Sequence, residues 1–146
     1  MKIINIVIDS SGSMQEDDKN AVIKYLLISI NNSKYMEDLK NINFEFFCLG
    51  TNTFKMKEES KIEFSGDINL EKVNKLKDII NTEYTTILIS DGNLDNEVKK
   101  EIKKIFENLF CVSIGIDSDL NVLKYISSSN KVYSVVDIFQ LLNDIK

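Results

Sequence analysis

Residues 3–14 read Ile-Ile-Asn-Ile-Val-Ile-Asp-Ser-Ser-Gly-Ser-Met, and the fold is decided there. Ile3, Ile4, Ile6, Val7 and Ile8 make a short, almost wholly apolar run, the pattern of a strand buried on both faces. It delivers Asp9, Ser11 and Ser13 at alternate positions just past its end. Carboxylate and hydroxyl oxygens are hard donors, suited to Mg²⁺, Mn²⁺ or Ca²⁺ rather than to zinc or copper. Gly12 is expected to let the chain turn tightly so that the three side chains converge. The same cluster is also ordinary turn chemistry, because Asp and Ser hydrogen-bond their own backbone and Gly takes positive φ. The metal reading gains from a second strand, Thr86 to Ser90, which ends in a matching acid at Asp91-Gly92.

The chain of 146 residues is expected to form a single domain, 1–146, long enough to bury about two-thirds of its unfolded surface. A hydrophobic fraction of 43% and a charged fraction of 28% are those of an ordinary globular protein. With a net charge of −5 there is no basic footprint for nucleic acid or an anionic membrane. Every one of the 18 basic residues is a lysine, so bidentate arginine contacts to phosphate or bases are absent. The lysines are scattered, as at Lys99, Lys100, Lys103 and Lys104, and read as a solvated helix face. Histidine is missing altogether, which excludes Ser-His-Asp and Cys-His catalysis and histidine-ligated zinc. Cys48 and Cys111 lie inside apolar runs and read as buried free thiols. The first strand starts about two residues after Met1 and no apolar run reaches spanning length, so the expectation is a cytoplasmic protein without signal peptide or membrane segment.

Helical and strand periodicities alternate along the rest of the chain. Helices are expected over about 17–33 (capped by Asp17 or Asp18), from Leu70 to Ile80 (behind Asp67 or Asn69) and from Val98 through Leu109 (capped near Asp95 or Asn96). A short one is expected over Leu120–Ile126 and a last one over Ile138–Ile145, capped by Asp137. Strands are expected over Ile42–Leu49, Thr86–Ser90, Phe110–Ile116 and Val132–Val136. Thr53–Lys57 and Lys61–Phe64 suggest an edge hairpin. The fold class is therefore α/β: a doubly wound, Rossmann-like, mostly parallel sheet with helices on both faces and one antiparallel edge strand or hairpin. In such sheets ligands bind outside the carboxyl ends of the strands, where the strand order reverses. If the first strand and the strand ending at Ser90 are neighbours, Asp9 and Asp91 face each other, and a divalent cation relieves their repulsion.

Asp9-x-Ser11-x-Ser13-Met14 after an apolar strand, then Ile87-Leu88-Ile89-Ser90-Asp91-Gly92, then Val112-Ser113-Ile114-Gly115-Ile116-Asp117, resembles the von Willebrand factor A domain over almost the whole chain. The resemblance implies a metal-ion-dependent adhesion site in which Asp9, Ser11, Ser13 and Asp91 hold an ion, usually Mg²⁺, completed by an acidic side chain of a partner protein. The compact form is more similar to bacterial intracellular members, some of them in tellurite-resistance clusters, than to secreted adhesion proteins. The family's usual Gly-Gly-Thr loop is missing. Asp67, in Ser65-Gly66-Asp67, or else Thr82 or Thr85, is left to stand in the threonine's place. Two other classes stay open beside a metal-dependent binding module. One is a scaffold without a working metal site. The other is a haloacid-dehalogenase-like phosphatase with Asp9 as nucleophile, which lacks the second acid that such enzymes carry two positions on, because that position is Ser11.

Overall fold

The computed structural model describes residues 1–57 and 61–146. Six strands form one sheet: β1 Lys2–Asp9, β2 Ile42–Leu49, β3 Phe54–Lys55, β4 Thr85–Ser90, β5 Leu109–Ser113 and β6 Val132–Ser134. Their order is β3-β2-β1-β4-β5-β6, and every pairing is parallel except the antiparallel contact of β2 with β3. Among the described residues, four α-helices lie on the connections between strands, α1 Lys19–Asn32, α2 Leu70–Ile79, α3 Asn96–Ile105 and α4 Leu120–Ile126, and α5 Ile138–Ile145 follows β6. This is the expected doubly wound α/β architecture with an antiparallel edge. The chain runs outward from β1 to β2 and β3, then returns to lay β4 on the other flank of β1, so the order reverses between β1 and β4.

Alternation along β1 splits the core into two layers. Ile4, Ile6 and Ile8 face one side and pack with Ile23, Leu26 and Ile30 of α1 and with Ile138, Leu141 and Leu142 of α5. Val7 faces the other, where Phe47, Leu88 and Cys111 meet Val73 and Leu76 of α2, Val98 and Ile102 of α3 and Leu123 of α4. A strand covered on both faces must be apolar at odd and even positions alike, as residues 3–8 are. The polar exception is Asn5. It is fully buried, and its Nδ2 donates to the Asn81 carbonyl at 2.9 Å and to Thr86 Oγ1 at 3.1 Å. Both cysteines are buried free thiols, and burial pushes each up to about 12. Among the described residues, no helix is long and apolar enough to cross a membrane.

Several boundaries depart from the sequence reading, each for a local reason. The first helix starts at Lys19 rather than near 17, because Asp17 and Asp18 take left-handed backbone (φ 50° and 60°). Asp18 occupies the position before that helix but makes no capping hydrogen bond, and neither does Asp137 before α5; the Asp137 carboxylate instead accepts from Ser134 Oγ. Asn69, Asp95 and Asp119 do cap their helices, accepting from the amides of Lys72, Val98 and Val122. Leu109 begins β5 instead of ending α3, since a leucine three residues after Phe106 satisfies helical spacing by coincidence. β5 stops at Ser113 and β6 at Ser134, short of Ile116 and Val136. Of the edge hairpin, only Phe54–Lys55 is strand, and Lys61–Phe64 pairs with nothing in the sheet. The connecting residues 58–60 lie outside the described residues.

Because β1 is central to both layers, truncating its side chains should damage the whole fold. Ile6 is fully buried between Phe46 of β2 and Ile87 of β4. Ile6→Ala is expected to lower unfolding free energy by about 2–5 kcal/mol, measured by urea denaturation followed by circular dichroism.

Candidate metal centre

The carboxyl ends of β1, β4 and β5 and the loops that leave them build one acidic site. β1 ends at Asp9, whose side chain is entirely buried. Its Oδ1 accepts from the Ser11 amide at 2.9 Å and from Ser11 Oγ at 2.6 Å, while Oδ2 accepts from Ser90 Oγ at 2.6 Å. Burial raises the Asp9 carboxyl to about 6; the donors from Ser11 and Ser90 pull it down, and the neighbouring Asp91 charge pushes it up. Ser90 Oγ also accepts from the Gly92 amide at 3.0 Å, so one hydroxyl links Asp9 to the turn after β4. Ser13 Oγ lies 3.3 Å from Ser11 Oγ.

Asp91 follows at the end of β4, nearly buried, and its Oδ1 accepts from the Asn93 amide at 3.0 Å. Its Oδ2 is 3.2 Å from the ammonium of Lys19. Lys19, the first residue of α1, is 1% exposed, an unusual burial for a lysine. Nζ also lies 3.0 Å from Asp117 Oδ1 and donates to the Ser13 carbonyl at 3.2 Å. Burial alone would depress this ammonium, but Asp117 and Asp91 outweigh it and hold it above the usual lysine range. The lysine in turn holds the half-exposed Asp117 below the usual carboxylate range. Gly115 makes room for the stem: at φ +87°, a Cβ there would stand 2.6 Å from Lys19 Cε. Gly92, at φ +77°, lets the loops after β4 and β5 close together, where the Asp119 amide donates to the Asp91 carbonyl at 2.7 Å.

The loops bound a cleft of about 320 Å³ whose lining includes Ser13, Glu16, Asp91, Asn93, Asp117 and Asp119. Its wall is acidic, and the Lys19 ammonium is held by two of its carboxylates. The candidate ligands are all oxygens, the donor chemistry that hard divalent ions take, and Ser13 and Asp91 face the cleft; among the described residues, no three Asp, Glu, Cys or His side chains converge as an ion-holding group.

The structure brings Asp9, Ser11, Ser13 and Asp91 to one place. Thr82 and Thr85 are not among them. Both lie at the amino end of β4, and Thr85 is separated from Ser90 by about 17 Å of strand; Thr85 Oγ1 accepts there from Asn108. Ser65-Gly66 does approach the serine loop, through Ser65 N to the Ser10 carbonyl at 3.0 Å and Gly12 N to the Gly66 carbonyl at 2.9 Å, but the Asp67 side chain is exposed. Gly12 is not required by its turn. Its φ is not left-handed, and an added Cβ would meet only ordinary contacts at 3.6 Å. Lys19 and Asp117 were not anticipated as site residues. Neither has a distinguishing local signal: a lysine directly behind three acids reads as part of a solvated charge cluster, and the partners of Lys19 lie 72 and 98 positions away.

No family model matches the sequence, and no curated protein does. Solved structures do. Proximal thread matrix protein 1 from the mussel byssus superimposes with a TM-score of 0.66 at 13% identity, over 99% of this chain and 44% of that one. A structure of the same mussel protein described as having a zinc-occupied MIDAS motif gives 0.67, also at 13% identity, with the same coverage. The ArnB paralog VWA2 from Sulfolobus acidocaldarius gives 0.52 at 17% identity, over 99% of this chain and 44% of that one. The chain spans less than half the length of these proteins, and at such identities the likeness is one of fold. That fold is the von Willebrand factor A domain.

Ser90 and Ser13 should behave differently in the metal-free protein. Ser90→Ala removes the donor to a buried carboxylate and the acceptor for the Gly92 amide, and is expected to cost about 1–3 kcal/mol. Ser13→Ala loses one long hydroxyl contact at the cleft and should cost less than about 0.5 kcal/mol. Thermal melts of both variants in chelator check the contrast.

Proposed function

We propose that this chain is a metal-dependent protein-interaction module without catalytic activity, binding its partner at the carboxyl-end loops of the sheet. The observation that carries the reading is the convergence of Ser11, Ser13, Asp9 and Asp91 at the β1–β4 reversal, beside an open acidic cleft. Ser13 and Asp91 are the residues that would hold an ion directly. Ser11 joins them if its hydroxyl turns its lone pairs outward while still donating to Asp9. Asp9, whose oxygens already accept three hydrogen bonds, orients the serines and supplies charge from behind. Mg²⁺ is the proposed ion, with Mn²⁺ or Ca²⁺ as substitutes. The ion's contribution, when bound, is to exchange a water for a carboxylate of the partner protein.

Support for a non-catalytic reading comes from Asp9 itself. A nucleophilic aspartate must meet its substrate, and this one has no exposed surface. The position two residues on, where a phosphatase of the haloacid-dehalogenase type carries its general acid, holds a serine that donates to Asp9. The acidic wall of the cleft also argues for the ion, since a partner carboxylate approaching Glu16, Asp117 and Asp119 meets repulsion unless a divalent charge intervenes. A cytoplasmic location is part of the proposal.

Titration calorimetry with Mg²⁺ and Mn²⁺ tests the reading. One ion per chain is expected, with affinity reduced at least about tenfold in Ser11→Ala/Ser13→Ala while the circular dichroism spectrum is unchanged. A displayed library of peptides containing Asp and Glu should be retained on the immobilised protein in Mg²⁺ and released by EDTA. No heat with either ion, or peptide retention indifferent to EDTA, would sink it.

A further inference from the structure

Lys19 is expensive to keep where it is. A lysine is almost never fully buried unless paired, and this one is 1% exposed. It opens α1, where the helix terminus repels cations, and no acid shares that first turn. Asp17 and Asp18, the two residues before it, adopt left-handed backbone, which among L-residues Asn and Asp visit most readily, and so turn the chain into the helix at Lys19. Behind it Gly115 has no side chain where Cε passes, 2.6 Å from where a Cβ would stand. Against its desolvation and the helix dipole, one ammonium is thus delivered to Asp91, Asp117 and the Ser13 carbonyl, an acceptor set for all three of its hydrogens.

We propose that Lys19 is the resident cation of this site: its ammonium neutralises Asp91 and Asp117 while no metal is bound, and a divalent ion must displace it from Asp91 in order to bind. The inference rests on the metal reading above and adds the residue that sets its threshold. Without Lys19, the buried Asp9 and Asp91 and the flanking Asp117 would leave three carboxylates crowded with no internal counter-charge, and the loops after β1, β4 and β5 would repel one another. With it, those loops are already drawn together through Ser13, Asp91 and Asp117, so the shape of the site survives without an ion. The same pairing makes loading competitive. An ion approaching from the cleft meets an Asp91 oxygen already committed to nitrogen at 3.2 Å. An ammonium that leaves Asp91 for solvent also gives up its 3.0 Å contact with the half-exposed Asp117, so both ion pairs oppose loading.

Two variants separate this from general electrostatics. Lys19→Met keeps the apolar stem and removes the charge. In EDTA it is expected to melt roughly 10 °C below the unsubstituted chain, and by calorimetry to bind Mn²⁺ at least about tenfold more tightly, since the competitor is gone. Asp117→Asn removes a carboxylate at the surface of the site, which by simple attraction should weaken a cation. If Lys19 competes, loosening its second anchor instead tightens Mn²⁺ binding a fewfold, and this variant keeps the test alive should Lys19→Met fail to fold. Mn²⁺ affinity unchanged in Lys19→Met, or weakened in Asp117→Asn, overturns the proposal and leaves the metal reading standing. Absence of Mn²⁺ binding in the unsubstituted chain and in both variants overturns both.

Discussion

The carboxylate of Asp9 has no contact with water, and a charge so placed is tolerable only where hydrogen-bond donors replace its hydration shell. Two come from Ser11 and one from Ser90. Ser11 is local, two residues along the same chain. Ser90 is not, and it can reach Asp9 only because β4 lies beside β1 in register, Ile8 opposite Ile89. The strand order of the sheet is therefore tied to the solvation of one carboxylate. Next to it Asp91 adds a second negative charge, which Lys19 answers, and Lys19 in turn requires the left-handed turn at Asp17-Asp18 and the missing side chain at Gly115. Each feature of the site follows from the one before it, starting from a single buried charge.

What could be read from the sequence was whatever depends on period and on residue type. The two-sided burial of β1, the helices over Leu70–Ile79 and Leu120–Ile126, and the α/β alternation with its carboxyl-end site all follow from spacing of apolar residues. The nearness of the Asp9 loop to Asp91 followed from topology once the strands were parallel. Lys19 was illegible because nothing local distinguishes a lysine buried by tertiary contact from one snorkelling to solvent; its partners lie 72 and 98 positions away. Gly12 misled in the opposite sense. A glycine between serines looks like a required turn, yet its backbone is one that any residue adopts. The Lys61–Phe64 segment misled because alternation of apolar and polar residues is satisfied equally by a strand and by an irregular connection, here one whose Ile62 and Phe64 touch the core.

Fold likeness at 13–17% identity makes a related point. At that identity the likeness lies in the path of the backbone. Few particular side chains are needed to keep that path, and the site occupies the end where backbone direction, rather than identity, brings the loops together.

The pairing of β1 between β2 and β4 also has a consequence for the order of events during synthesis. β2 is complete at Leu49, so one flank of β1 can be covered early, whereas β4 is not complete until Ser90. At ordinary elongation speeds of about 5–20 residues per second, those roughly forty residues take several seconds. Throughout that interval the other flank of β1, an almost uninterrupted apolar strand, has open backbone groups, and Asp9 lacks one of its three donors. A nascent chain in that state is both sticky and unable to bury its own carboxylate. The site is thus assembled only once β4 has joined β1, and until then the apolar flank of β1 is open to the wrong partner.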